Sequence, residues 1–169
     1  VHTQFCGFSE NGAWFLLCYP NTIAYSDWID AVELWDSAGH PQGRTPRLYG
    51  ALQYRKVAND GAQVILQLKG EAAQMWQVES EQPFVALPAM PASGKGLRFS
   101  GNLTLALALA ARGEVELFDA QSGALIDLLS LRSLLFGPRI VDARFSPDER
   151  FVVTRSTLQH IHLWGVTPS

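Results

Sequence analysis

Val32-Glu33-Leu34-Trp35-Asp36 is the stretch that decides the fold, because it returns later in the chain as Val115-Glu116-Leu117-Phe118-Asp119. Two shorter stretches, Gln74-Met75-Trp76 and Ile161-His162-Leu163-Trp164, occupy the same place in the pattern. The aromatic residues that close these stretches stand 41, 42 and 46 residues apart, and they are Trp35, Trp76, Phe118 and Trp164. A near-constant interval of this length predicts four copies of one supersecondary unit.

Turn-forming residues precede each of these aromatic residues. The turn segments are Asn11-Gly12, Asn59-Asp60-Gly61, Gly101-Asn102 and Pro147-Asp148-Glu149. Such residues accept positive φ or preset φ near −65°, so they close hairpins. Short runs rich in branched and aromatic residues follow them, as at residues 14–18 and 64–68. Runs of this kind, bounded by turns, predict four short strands in each repeat and therefore an all-β protein.

The repeats resemble those of the WD40 family, whose blades are four-stranded sheets of about 40–45 residues with Trp-Asp ending the third strand. The best match is Phe145-Ser146-Pro147-Asp148-Glu149-Arg150-Phe151 followed by Ile161-His162-Leu163-Trp164. Leu34-Trp35-Asp36 and Leu117-Phe118-Asp119 come next. The resemblance implies WD40-like β-propeller blades over 1–169 as a single domain or fragment, with approximate blades at 1–48, 49–88, 89–130 and 131–169.

The strand count predicts an incomplete last blade. The chain ends just after the third strand of the fourth repeat, so we expect fifteen strands, with the outer strand of the last blade missing. In the family, a strand from the far terminus fills such a gap. We therefore expect the C-terminal portion of a longer propeller, or a half-ring that a second copy completes as a homo-oligomer. A closed ring of four blades is the alternative.

Composition excludes several classes of protein. A chain with 47% hydrophobic and 17% charged residues is neither disordered nor of low complexity. A formal net charge of -3 gives no electrostatic basis for binding nucleic acid or an anionic membrane. The longest apolar run, 103–111, is about half of what a membrane-spanning helix needs. The expected partner is therefore another protein or the remainder of the same chain.

Two cysteines, Cys6 and Cys18, are too few for a disulfide scaffold or a four-cysteine zinc site. Their spacing places them on neighbouring strands. We expect buried free thiols there in preference to a disulfide bond. With no other sign of an oxidising environment, the sequence favours a cytoplasmic location.

No catalytic constellation is visible, so we expect no catalytic residues, no cofactor and no enzymatic activity. Gly94-Lys95-Gly96 lacks the spacing of a phosphate-binding loop. His160 and His162 project from one face of a strand and are candidate metal ligands, although packing beside Trp164 is the alternative. Glu33 is expected to be solvated or to lie at a blade edge.

The first repeat carries an insertion, residues 21–30, between its second and third strands. In propellers this position lies on the face that binds ligands. The insertion contains Tyr25 and Trp28, whose residue types dominate binding hot spots. Folding back onto the blade as a cap is the alternative. The predicted partner-binding residues on this face are Tyr25, Trp28, Asp30, Arg47, Tyr49, Lys95 and Arg139.

The resemblance implies a rigid, non-catalytic scaffold for protein–protein interaction, which docks a partner on the loop face. Fold alone does not fix function, and two alternatives remain. The first alternative is a regulatory or sensor domain at the C-terminal end of a larger multidomain enzyme. The second is a metal-binding propeller enzyme.

Overall fold

The computed structural model describes residues 3–20, 28–78, 84–87, 97–110, 112–131 and 137–166, and within these ranges it contains strands and turns but no helix. The chain divides into two units, Val1–Leu87 and Pro88–Ser169. No helix in the described ranges is long and apolar enough to cross a membrane.

The described residues of the first unit form eight strands in two groups. The first group is β1 (Gln4–Phe8), β2 (Trp14–Pro20), β3 (Trp28–Asp36) and β4 (Pro41–Arg44). The second group is β5 (Gly50–Val57), β6 (Gln63–Leu68), β7 (Gln74–Gln77) and β8 (Phe84–Ala86). Each group is an antiparallel meander.

The two groups of the first unit share one hydrogen-bonded sheet. Its strand order is β1-β2-β3-β5-β6-β7-β8, with β4 paired to β3 beside this path. The start of β3 reaches past β4 and pairs with β5, so that Trp28 lies opposite Ala51 and Ile29 opposite Gly50. The described end of the insertion, at Trp28 and Ile29, therefore extends β3 into the neighbouring group.

The second unit contains two separate antiparallel sheets. The third group is β9 (Arg98–Phe99), β10 (Leu105–Leu109), β11 (Val115–Asp119) and β12 (Leu125–Leu129). The fourth group is β13 (Ile140–Phe145), β14 (Phe151–Ser156) and β15 (Ile161–Gly165). The described ranges thus hold fifteen strands, and the last sheet has three. Both the all-β class and the shorter last blade are confirmed.

Each unit has its own core, built in the same way. In the first unit, Leu16, Val32 and Leu34 of the first group pack with Val64 and Trp76 of the second. In the second unit the third and fourth groups repeat this arrangement. The residues there are Leu107, Val115, Leu117 and Leu129, packed with Ile140, Ala143 and Val152.

The hairpin turns explain why the turn segments recur. The last residue of each turn has positive φ: Gly12 at 71°, Gly61 at 75°, Leu103 at 59° and Glu149 at 59°. In three groups a serine closes the turn, because its Oγ accepts a hydrogen bond from a backbone N–H five residues later. These serines are Ser9, Ser100 and Ser146, with donor–acceptor distances of 3.1, 3.2 and 3.0 Å.

The expectation of free thiols is wrong, because Cys6 and Cys18 form a disulfide. The two residues lie on the paired strands β1 and β2, with Cα atoms 5.9 Å apart. Gln4 lies opposite Cys18, and strand alternation places Cys6, two residues later, on the same face of the sheet as Cys18. The placement on neighbouring strands was correct, but the register that brings the two side chains together is set by strand pairing.

Candidate interaction site

Trp28, Asp30, Arg47 and Tyr49 lie together in the first unit, where β3 runs beside the segment that links β4 to β5. Hydrogen bonds hold this segment against β3. The Leu48 N–H donates to the Asp30 carbonyl at 2.7 Å. The Val32 N–H donates to Thr45 Oγ1 at 3.0 Å, and Thr45 is buried. The linking segment is therefore tied to β3 at two places on either side of Arg47.

An ion pair occupies the middle of this cluster. Arg47 Nε lies 3.6 Å from Asp30 Oδ1. The buried Oδ1 atom has no hydrogen-bond partner among the described residues, so the guanidinium is its main compensation. The Arg47 guanidinium carbon also lies 6.0 Å from the centre of the Tyr49 ring, which is the outer range of a cation–π contact.

Two large aromatic side chains flank the ion pair and face solvent. Trp28 is 46% exposed and Tyr49 is 64% exposed. We define Trp28, Asp30, Arg47 and Tyr49 as the Trp28–Tyr49 patch. This combination of exposed aromatic rings and a half-buried ion pair is typical of protein-binding hot spots. The rings bury much area on binding at a low cost in side-chain entropy.

The sheet beneath the patch packs closely. Gly50, opposite Ile29, lies against the Leu68 side chain, and a Cβ at Gly50 would stand 3.2 Å from Leu68 Cδ1. A glycine at this place lets the start of β5 pack closely against Leu68 at the end of β6. The rigid support that a docking surface needs is thus present at the base of the patch.

The remaining predicted partner-binding residues do not join this cluster in the described structure. Tyr25 and Lys95 lie outside the described residues. Arg139 belongs to the second unit, where its N–H donates to Thr157 Oγ1 at 3.2 Å. Four of the seven predicted residues are therefore brought together within one unit.

A second cluster in the first group was missed by the sequence reading. The Tyr19 hydroxyl donates to Glu33 Oε2 at 2.5 Å, and the Trp35 indole N–H donates to the same oxygen at 2.9 Å. Arg44 lies over the Tyr19 ring, 4.3 Å from its centre. The hydrogen bond to Glu33 is the main cause that raises the pKa of Tyr19; burial and the negative charge of Glu33 add to it.

The sequence suggested that Glu33 is solvated or lies at a blade edge. In the structure its carboxylate is instead held by hydrogen-bond donors. Its side chain is 15% exposed and sits among hydrogen-bond donors on the aromatic side of the sheet. Strand alternation places Glu33 and Trp35 on one face of the sheet, so their contact could have been predicted from the sequence. The contribution of Tyr19 depends on strand register, which the sequence did not supply.

His160 and His162 behave as aromatic packing residues in the fourth group. Their rings are 6.5 Å apart, and His162 lies 6.4 Å from Trp164. His162 Nε2 is buried and has no hydrogen-bond partner in the described part of the chain. Within that part, no three His, Cys, Asp or Glu side chains are grouped as a metal site would require.

No family model matches the chain, and no curated protein matches it. Among solved structures, the chain is similar to the β-propeller domain of Cps50 (Swd1) from Myceliophteria thermophila, with a TM-score of 0.56 and 16% sequence identity. The match covers 94% of this chain and 50% of that one, so the chain spans about half the length of the matched structure. This likeness, together with the antiparallel sheets, establishes the β-propeller fold.

Proposed function

We propose that this chain is a WD40-type propeller module whose Trp28–Tyr49 patch docks a segment of a partner protein, and that it acts as a non-catalytic interaction scaffold. The fold supports the proposal in general terms, since propellers present loops on a rigid frame. The observation that carries it is the pair of exposed aromatic rings at Trp28 and Tyr49, which flank the Asp30–Arg47 ion pair.

The patch offers two kinds of contact to a partner. The rings of Trp28 and Tyr49 supply apolar area that is already held in place by the β3–β5 pairing. Arg47 and Asp30 supply one donor group and one acceptor group for the polar atoms of an extended peptide. An extended segment with an apolar side chain between two polar backbone groups fits this chemistry best.

The test is selection of peptides from a random displayed library on the immobilised chain, followed by affinity measurement on variants. We expect Trp28→Ala and Tyr49→Ala each to weaken the selected peptides about tenfold or more, because hot-spot aromatics carry most of the binding energy. Leu125→Ala is the matched control, since Leu125 is 56% exposed but lies in β12 of the second unit.

Melting curves separate loss of binding from loss of folding. Trp28 and Tyr49 are exposed, so both alanine variants are expected to melt within a few degrees of the parent chain. Equal peptide affinity for the parent, Trp28→Ala and Tyr49→Ala would contradict the proposal. Equal losses in the Leu125→Ala control would also contradict it.

The Cys6–Cys18 disulfide bears on location. Structural disulfides persist in oxidising compartments and are rare where glutathione keeps thiols reduced. We therefore propose an oxidising compartment in place of the cytoplasmic one that the sequence favoured. Thiol titration of the chain isolated from its native cells tests this: no reactive thiol is expected before reduction, and two are expected afterwards.

A further inference from the structure

The fourth group leaves uncovered a face that is buried in the other three. The residue one position before the repeat aromatic is buried at Leu34, Met75 and Leu117. The equivalent Leu163 is 64% exposed, and Ile161, two residues before it on the same strand face, is 63% exposed. Val153 lies opposite Leu163 in β14. We call Val153, Ile161 and Leu163 the aliphatic end face.

The first group leaves the opposite kind of face uncovered. Phe8 is 64% exposed, whereas the equivalent positions at the ends of β5 and β9, Val57 and Phe99, are buried. Phe8 lies opposite Phe15, and Phe15 opposite Trp35. Phe5 and Phe8 have ring centroids 4.8 Å apart, and the rings of Phe15 and Trp35 are stacked at 6.2 Å. We call Phe5, Phe8, Phe15 and Trp35 the aromatic end face.

Inside each unit, these two kinds of face cover each other. In the first unit the aliphatic side of the first group, with Val32 and Leu34, packs on the side of the second group that carries Val64 and Trp76. In the second unit the aliphatic side of the third group packs in the same way on the fourth. The residues there are Val115 and Leu117 against Val152, Phe145 and Trp164.

We propose that a second copy of this chain covers both end faces, in a head-to-tail contact in which the aliphatic end face of one copy packs on the aromatic end face of the next. The contact repeats the packing that each unit already uses between its sheets. The matched propeller structure is compatible with such a neighbour, because this chain covers 50% of its length.

Contact between arginine and aromatic rings favours the head-to-tail arrangement over a contact between two identical faces. Arg155 lies opposite Ile161, and Arg144 opposite Val153, so both arginines border the aliphatic end face. The Arg144 side chain is 73% exposed. Asp142, opposite Arg155, lies 3.6 Å from Arg144 and partly compensates this charge within one copy. The aromatic end face offers ring surfaces over which an arginine can pack, whereas a second aliphatic end face offers none.

The first experiment measures the solution mass of the 169-residue chain by light scattering and sedimentation, from low to high micromolar concentration. We expect the mass to rise with concentration from 18.6 kDa to twice that value or to higher multiples. A closed pair gives the doubled mass, and an open head-to-tail chain gives the higher multiples. A constant mass of one chain over the whole range would overturn the proposal and assign the end faces to further blades.

Two charge-introducing variants identify the faces. Leu163→Glu and Phe8→Lys are each expected to weaken self-association about tenfold or more, because each puts a charge into an apolar contact. Leu128→Glu is the matched control: Leu128 is 45% exposed but belongs to β12 of the third group, outside both end faces. Circular dichroism is expected to be unchanged in all three, since each altered side chain faces solvent.

Mixing the two variants decides the geometry. In the mixture, the unaltered aliphatic end face of Phe8→Lys meets the unaltered aromatic end face of Leu163→Glu, so association is expected to return. If Phe8→Lys alone associates like the parent chain, aliphatic faces pair with each other and the proposal is wrong. A mixture that stays at the mass of one chain, or a control variant that loses association, would also overturn it.

Discussion

At the scale of single residues, three turn aspartates have lowered pKa values because turn groups donate hydrogen bonds to them. The backbone N–H of His40 is the main cause that lowers the pKa of Asp36. The Ser122 hydroxyl, 2.6 Å away, does the same for the pKa of Asp119, and the Ser146 hydroxyl for that of Asp148. Each turn therefore favours the ionised carboxylate.

These aspartates predict how stability depends on pH. Their folded pKa values lie below the unfolded value of about 3.8, so their stabilising effect is present above that pH and is lost as the pH falls through the folded values. Urea midpoints are expected to fall with acidification. In a triple Asp→Asn variant at positions 36, 119 and 148 the fall should be shallower. An identical pH profile in parent and variant would contradict this prediction.

Gly12 and Gly61 allow steric contact to be separated from backbone strain. Both have positive φ, 71° and 75°, but a Cβ at Gly12 would meet nothing within 4 Å, whereas one at Gly61 would collide with the Trp14 ring. Gly12→Ala is expected to cost about 1 kcal/mol, the penalty of the left-handed conformation. Gly61→Ala should cost about 3 kcal/mol, because the ring must also move.

Urea unfolding of the two alanine variants measures the difference. Trp14 fluorescence adds a direct readout, because its indole N–H donates to the Asn59 carbonyl at 3.1 Å and would be displaced in Gly61→Ala. Equal losses of stability in the two variants would show that Trp14 does not pack on Gly61.

The sequence anticipated some side-chain clusters and missed others for a physical reason. Trp28 and Asp30 could be grouped with Arg47 and Tyr49 because strand ends and connecting segments gather at one edge of a propeller. Their role in binding remains a prediction. The bonds from Tyr19 and Trp35 to Glu33 depend on which residues lie opposite one another across β2 and β3, and register is set by tertiary packing.

At the scale of elements, the strand pattern was predictable but its bounds were not. The apolar run that starts at residue 103 forms a strand only in part, because β10 begins at Leu105. Leu103 instead takes the left-handed position of the turn, with φ of 59°, while its side chain is buried. A leucine rarely adopts this conformation, so propensity alone assigns it to the strand.

The disulfide makes the β1–β2 hairpin a stability determinant. It closes a loop with a sequence separation of 12 residues, for which the chain-entropy relation gives about 3 kcal/mol. Reduction of the parent chain is expected to lower the free energy of unfolding by this amount. The Cys6→Ser/Cys18→Ser variant should start at the lower stability and be insensitive to reductant. A parent chain whose melting ignores reductant would contradict the prediction.

At the scale of the whole molecule, the repeat predicted the β-propeller fold but could not show which sheets are covered. Leu163 and Leu117 occupy the same repeat position and are the same residue type, yet one is 64% exposed and the other is buried. Whether a residue is buried depends on the neighbouring sheet and not on the residue type. Repeats at the ends of the array therefore resemble inner repeats in sequence. The exposed faces of the first and fourth groups are therefore found from the side-chain exposures and not from the repeat pattern.

The pairing of β3 with β5 makes the first two groups inseparable in a way that the regular repeat conceals. Because Trp28 and Ile29 complete the ladder for Ala51 and Gly50, the second group cannot be excised without exposing backbone groups that the first group satisfies. Duplication or exchange of one of these two groups alone would break this ladder, so we expect the first two groups to be inherited together.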